Sequence, residues 1–458
     1  MTRVAVFGSH VLAEQDGAQA VLADRWVLAE DGRIVAITTE RPTADLVLDA
    51  PGRFVLPGLL NLHHHSVSEM IARARGEDPG GAGSVAKIVY QVLMPLTLRA
   101  GTLLTHAERL AIARLGILQL VKGGCSAAME PFRPVLAEMF EAAEEFGLRY
   151  WGAPYIFSNL DPVFRPDGSV DYGAGTEDTA AAMAEWNALH ARWDGAAEGR
   201  IRVAMSPHAT DTCDPALLRA CFSRARELGV PFTIHVAQSP DEVATIQARH
   251  GCSPAEYLDR AGVLAPGTLA AHCVACSDAD LALLASRGVV VMNCPRAFAR
   301  EGIVAAYSRF RRHGLDVCVA TDGYGGDLLG DLAMAAMVSR IEAGDPGAVT
   351  AAALLGSVTR DASRALGRDD LGAIRIGASA DLTVFDMTHP QLAPLRDPRR
   401  ALLAWSGSAR MEALLVAGRP IVLDGLWQGG DEAAVIAAGE AAVGRLWNLP
   451  DIAAALGS

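Results

Sequence analysis

The chain has 458 residues, 51% apolar and 20% charged, which suits one large domain with a buried sheet and a smaller companion domain. Its formal net charge of −13 is spread out rather than blocked, so no basic patch is expected to hold a nucleic-acid backbone. No run approaches ~18 uninterrupted apolar residues, the N-terminus lacks a signal-peptide core, and the cysteines are scattered; free thiols in a reducing cytoplasm, away from membranes, are expected.

The first 56 residues predict short strands at Val4–Val11, Arg25–Ala29, Arg33–Thr38 and Leu46–Ala50, separated by turn signals such as Asp31-Gly32. From residue 57 to 367, apolar β-rich runs alternate with Ala/Leu/Arg/Glu-rich helical stretches. The runs include Cys125–Glu130, Arg200–Met205, Val230–His235, Thr268–His272, Val289–Asn293 and Val317–Asp322; helices are expected at Ala216–Leu228 and Asp278–Ser286. Such βα alternation predicts a (β/α)8 barrel. The Gly-rich segment 76–84 interrupts the first βα unit at the barrel mouth, as a lid or as a tolerated surface loop. The β pattern returns at Gly377–Asp386, Met411–Val416 and Arg419–Leu423, so segments 1–56 and 368–430 are expected to pair into one small β-domain. Residues 431–458 read as a C-terminal helix.

Chemistry concentrates at predicted strand ends. The run Leu56-Pro57-Gly58-Leu59-Leu60-Asn61-Leu62 delivers His63, His64 and His65. Residues i and i+2 of a strand share a face, so His63 and His65 can offer two imidazoles to one metal while His64 points away. Later strands end at His235, His272 and Asp322, and parallel barrel strands all end at one face. His63, His65, His235 and Asp322 make a nitrogen/oxygen shell for one divalent ion per subunit, Zn²⁺ or Fe²⁺, with a position for water whose pKa falls towards ~7. Asp322 can also take the water's proton, and His272 is placed to polarise a substrate. Taken singly, each later residue also reads as an ordinary strand-end polar group. The lone Cys273-Val274-Ala275-Cys276 motif reads as wall packing.

These segments resemble the amidohydrolase superfamily, in the branch with guanine, 8-oxoguanine and S-adenosylhomocysteine deaminases and s-triazine hydrolases. The resemblance spans nearly the whole chain: Pro57-Gly58 to His65, Ser206-Pro207-His208-Ala209, His235, Ala271-His272-Cys273, Ala320-Thr321-Asp322-Gly323, and Leu371-Gly372 to Asp386. It implies a distorted (β/α)8 TIM barrel with a β-sandwich domain formed from both chain termini. It also implies a mononuclear metal site of His63, His65, His235 and Asp322, a catalytic His272, a substrate contact from His208, and a homodimer or higher homo-oligomer. No lysine sits at a recognisable strand end before His235, which argues against the carboxylated-lysine binuclear subgroup.

Two departures stand out. Deaminases of this branch usually carry Glu three residues after the strand-five His; here the position is Gln238, whose amide cannot titrate near neutral pH. The substrate's leaving group could depart without ring protonation (a thiolate, halide or nitrite), with Gln238 orienting it. Alternatively another acid substitutes, the best candidate being Glu130 with Glu69 behind it, while Glu242 lies too far along the next helix. Or the protein binds metal and small molecule without catalysis. After strand seven, Asn293-Cys294-Pro295-Arg296-Ala297-Phe298 stands where relatives often show Asn-Pro-x-Ser-Asn. Arg296 is either a substrate anchor or a salt-bridge partner. Tyr324 and Phe157 either line a pocket for a planar, apolar substrate or pack beneath it. The expected reaction is attack by activated water on an sp² carbon of a small heterocyclic, urea-like or carbamate-like molecule, releasing ammonia, an amine or another leaving group.

Overall fold

The computed structural model describes residues 3–49, 51–67, 94–132, 136–158, 163–164, 170–171, 179–323 and 325–449. Segment 76–84, Glu69 and Tyr324 lie outside them, so the lid and pocket-lining roles expected there lie outside the described residues.

The chain opens with β1 (Arg3–Gln15), β2 (Ala18–Glu30), β3 (Arg33–Thr38), β4 (Leu46–Leu48) and β5 (Arg53–Pro57). β1 and β2 run further than the sequence predicts. Their outer ends carry polar residues that interrupt the apolar pattern, yet the hairpin pairing continues from Arg3↔Glu30 to Gln15↔Ala18. At the Asp31-Gly32 turn both residues take positive φ, 47° and 81°, as a tight two-residue hairpin requires.

The middle of the chain supplies β6 (Leu59–Asn61), β7 (Cys125–Phe132), β8 (Arg149–Ile156), β9 (Ile201–Val203), β10 (Phe232–Val236), β11 (Thr268–His272), β12 (Val290–Asn293) and β13 (Asp316–Val319). β6 to β9 and β10 to β13 pair in parallel in chain order. Single bridges close the ring: Met205↔Phe232 and Ala209↔His235 between its two halves, and His64↔Asp322 between the last strand and the first. Helices alternate with the strands, among them Pro215–Leu228 and Asp278–Ser286. The Pro215–Leu228 helix starts on the Asp214 cap, whose carboxylate accepts from the backbone of Ala216 and Leu217.

Strand alternation divides the barrel core. Leu60, Ala127, Met129, Trp151, Ala153, Leu269 and Met292 form one cluster inside the ring. The intervening residues, such as Ala128, Tyr150, Ile234 and Val291, pack outward against the helices.

The chain then returns through β14 (Leu382–Asp386), β15 (Arg410–Val416), β16 (Arg419–Leu423) and β17 (Leu426–Trp427). One sheet takes strands from both chain ends, in the order β17-β16-β15-β14-β5-β1-β2-β3, with β4 on β1. The join is the antiparallel β5/β14 ladder, with Phe54 opposite Phe385. A last helix, Glu432–Trp447, follows. No helix of the described residues is long and apolar enough to cross a membrane.

Candidate metal centre

The regular part of β6 ends at Asn61, two residues before the histidines that sequence alternation assigns to a strand. What carries the geometry onward is the single bridge His64↔Asp322, fixed by Asp322 N donating to the His63 carbonyl at 2.9 Å and His65 N to the Asp322 carbonyl at 3.3 Å. The last and first barrel strands are thus stitched together at the residues that carry the chemistry.

His63, His65 and His235 are buried, and one ring nitrogen of each lies within 4.8 Å of the others. His65 Nδ1 donates to the Pro131 carbonyl at 2.8 Å and His235 Nδ1 to the His208 carbonyl at 2.7 Å. A carbonyl can only accept, so both rings hold their proton on Nδ1 and turn an Nε2 lone pair inward. His63 Nε2 and His65 Nε2 stand 3.2 Å apart. Two nitrogens bound to one tetrahedral zinc would stand roughly 3.3 Å apart. Asp322 reaches both sides of the cluster, Oδ1 3.4 Å from His65 Nε2 and Oδ2 3.9 Å from His272 Nδ1. The His63 ring lies edge-on to His272 at a 4.9 Å centroid separation. The donor set therefore fits a divalent ion.

Burial lowers the proton affinity of every ring here. Desolvation takes His65 to about 4 against the Pro131 hydrogen bond; desolvation and then neighbouring imidazoles take His235 to about 4 and His63 and His272 well below the usual 6.5. Neutral imidazole is the form that ligates. Asp322 shifts upward by burial, opposed by His235 and by the Gly323 N–H it accepts.

The turns that aim these groups are strained. Ala237, His272, Cys273 and Asp322 all take positive φ, between 46° and 77°, although none is glycine. Such backbone persists only where its surroundings over-determine it, and it clusters at functional sites. Behind the centre, Asn61 Nδ2 donates to Thr321 Oγ1 at 2.7 Å, and Thr321 Oγ1 shares a 2.8 Å hydrogen bond with His64 Nδ1. His64 thus faces away from His63 and His65 and braces the residue next to Asp322.

The other sequence candidates separate. His208 is buried beside the centre, its ring 5.1 Å from His235, with Phe157 at 4.8 Å and Tyr155 at 4.8 Å. The Tyr155 hydroxyl lies 3.4 Å from His235 Nε2, a contact the sequence did not single out. Gln238 is buried three residues past His235, and its N–H donates to Glu242 Oε2 at 2.8 Å. Glu242, distant along the helix in sequence, folds back under this turn, taking the Ala237 N–H at 3.0 Å and the Thr210 hydroxyl as well. Burial and neighbouring Asp211 push its carboxyl upward.

Two expectations need correction. Glu130 follows the outward face of β7: its carboxylate accepts Ser66 N at 2.7 Å, Ser66 Oγ at 3.1 Å and the Tyr150 hydroxyl at 3.3 Å. On that side the helix His106–Lys122 passes so near that a Cβ on Gly116 would sit 2.2 Å from Ser66 Cβ. Glu130 therefore fastens the turn after His65 to the barrel wall and is not placed as a substitute acid. Arg296 is held by Asp331 Oδ2 at 2.6 Å and Asp327 Oδ2 at 3.2 Å. Fully buried Asp331 needs a counter-charge, so the salt bridge, not substrate anchoring, accounts for Arg296. Conversely, Cys294 offers its sulfur within 4.8 Å of ligating atoms of His63, His272 and Asp322. Its position just past the end of β12, at the same end of the barrel as His272 on β11, was the available signal. The cysteines of the CxxC motif are free and buried, as wall packing implies.

Residues 54–439 match the amidohydrolase family. A 5-methylthioadenosine/S-adenosylhomocysteine deaminase from Natronomonas pharaonis is 32% identical over 434 residues, covering 93% of each chain. A 5'-deoxyadenosine deaminase from Methanothermobacter thermautotrophicus is 30% identical, covering 92% of this chain and 94% of the relative. Among solved structures, an adenosine deaminase from Xanthomonas campestris with bound zinc superposes with a TM-score of 0.84 at 22% identity, covering 97% of this chain and 99% of that one. An atrazine chlorohydrolase from Arthrobacter aurescens complexed with zinc gives 0.85 at 22%, covering 96% and 100%. With the family match spanning most of its length and full-length relatives at 30% identity or above, the chain belongs to the amidohydrolase family and is a hydrolase.

Proposed function

We propose that the protein is a metal-dependent aminohydrolase that deaminates a small, planar, aminated heterocycle. The observation that carries this is the convergence of His63, His65 and His235 with Asp322 and His272 at one end of the barrel. Its full-length deaminase relatives support the choice of an amine as leaving group.

His63, His65, His235 and Asp322 would hold the ion, and imidazole with carboxylate suits zinc and iron alike. Bound there, one such ion per subunit supplies Lewis acidity and lowers the pKa of water. Asp322, bridging towards His65 and His272, is placed to accept a proton from the attacking water. His272 stabilises charge that develops on the substrate. Tyr155, His208 and Phe157 form an aromatic wall that suits a flat ring and excludes water. Gln238 can orient the ring by donating and accepting hydrogen bonds, but it cannot move a proton. Proton delivery to the leaving group then falls to Asp322 and His272. The same reading takes the two-ended sheet as part of a β-sandwich domain beside a distorted barrel, and the chain as a homo-oligomer; the chemistry requires neither.

Gln238 favours a second reading, hydrolysis of a substrate whose leaving group needs no proton, such as a halide, thiolate or nitrite. One screen separates the two. Metal-analysed protein is offered aminated heterocycles alongside ureas, thiocarbamates and halo- or nitro-azoles, with ammonia and total product followed in parallel. Ammonia from a ring amine, increased in Gln238→Glu, is the expected result. Turnover confined to the second group, abolished in Gln238→Glu, would replace deamination by the second reading. Bound metal with no turnover in any class would overturn both.

A further inference from the structure

At the opposite end of the barrel, a cavity of about 650 Å³ lies between the starts of β8 and β9 and the turns of the two-ended sheet. Its lining includes Arg33, Arg149, Arg200, Arg202, Arg368 and Arg419, a concentration of positive charge in a chain whose net charge is −13. We propose that this cavity is a binding site for a phosphate-class oxyanion, free or as the phosphoryl end of a small metabolite. The proposal is independent of the chemistry assigned to the metal centre.

Charge accounting locates the ligand. Arg149 is spent on Asp381 at 2.6 Å, Arg202 on Asp194 at 2.9 Å, Arg368 on Asp370 at 2.7 Å and Arg419 on Glu198 at 2.7 Å. Asp31, also in the lining, balances Arg33 in charge. Arg200 feels Glu198 and Glu144 only at longer range. Among the described residues no carboxylate pairs with it; its Nη1 makes one long bond to the Leu148 carbonyl at 3.4 Å, and its Nε is buried without a partner. A buried guanidinium N–H without an acceptor is costly, and an oxyanion is the ligand its planar fork matches. Burial and the like charges of Arg419 and Arg149 lower its proton affinity, outweighing the opposing pull of Glu198 and Glu144, and an entering anion would reverse that balance.

Room is available. A Cβ added to Gly199, beside Arg200 in the lining, would meet nothing within 4 Å. The volume exceeds what a lone phosphate fills and falls in the range of small-molecule pockets, roughly 300–1,000 Å³. Barrel chemistry occurs at the other end, so this ligand would lock barrel to sheet rather than react.

The test is calorimetric titration and thermal shift of the metal-loaded protein with orthophosphate, pyrophosphate and a nucleoside monophosphate, repeated on metal-free protein. Binding that survives metal removal, raises Tm, and weakens at least about tenfold in Arg200→Gln is expected. Arg419→Gln, at an exposed rim position, should weaken it too and serves if Arg200→Gln fails to fold. Tighter binding of the monophosphate than of orthophosphate would identify a phosphorylated metabolite; the reverse order would identify the free anion. No binding, binding lost with the metal, or binding unchanged in both variants would overturn the proposal.

Discussion

Thr321 shows how much of the centre depends on residues that would never touch an ion. Its hydroxyl is the meeting point of Asn61 and His64, and its neighbour is Asp322. Thr321→Val keeps the shape but strands two buried polar groups, at about 1–3 kcal/mol each. It also loosens the bridge that aligns Asp322 with His63. We expect Thr321→Val to remain folded with a lower urea midpoint, and to bind zinc about 10- to 100-fold more weakly. Equilibrium dialysis against a chromophoric chelator checks this, and unchanged zinc affinity would show that the network is only structural. Gln238 sits in the opposite situation: it is buried at the site but held from behind, through its own N–H, by Glu242. A glutamate introduced there would share a dry turn with an existing carboxylate, which would raise its proton affinity into the range a general acid needs.

At the scale of elements, the Arg149–Asp381 pair joins the start of β8 to the returning segment that leads into β14. Arg149 is bound through Nε and Nη2 to Asp381, and Asp381 Oδ1 also takes Ser379 Oγ and Ala417 N. Both side chains are buried, so removing one partner leaves an uncompensated charge. Arg149→Met is expected to lose about 3–5 kcal/mol in urea unfolding, and Arg149→Met with Asp381→Asn to lose less than the single change. Equal losses would mean that the pair holds nothing together. Much of this scale was legible in the sequence: the βα alternation, the return of β14 to β16, and the strand ends carrying His235 and His272 all follow from apolar runs and their terminators. Other features left no local trace. The left-handed turns at Ala237, His272 and Asp322 involve an alanine with no such preference and a His and an Asp that adopt it only occasionally, so only the assembled ring reveals them. The end of β6 at Asn61 reflects a bridge to a partner some 260 residues away. Glu130 was decipherable: Ala127 and Met129 face inward, so parity alone turns Glu130 towards the helices, whereas position along the strand suggested the mouth.

For the whole molecule, the centre is a dry store of neutral imidazoles, and this couples stability to pH. His63, His64, His65, His208, His235 and His272 are all buried and all have lowered proton affinity, His64 to about 3 and His65 and His235 to about 4. Unfolded, each would titrate near ~6.5. Between about 6.5 and about 4 the unfolded chain therefore binds protons that the folded chain refuses, and stability falls as pH falls through that window. A shift from ~6.5 to about 4 is worth ~3 kcal/mol per group once fully expressed. Asp331, raised to about 7 by burial, works in the opposite sense, as do Glu242 and Asp322, but these carboxyls are outnumbered by the histidines. The metal-free protein should lose Tm steeply on acidification from pH ~6.5 to ~4, and lose it more gently as pH rises above ~6.5 through the raised values of Asp331 and Glu242. Because the ligating rings are already neutral above that window, zinc binding there should release few protons, which calorimetry in buffers of different ionisation enthalpy measures directly. A flat Tm profile would mean that water reaches these rings. Proton release approaching one per histidine at neutral pH would mean that they are charged until the ion arrives, and the dry, preformed centre would have to be abandoned.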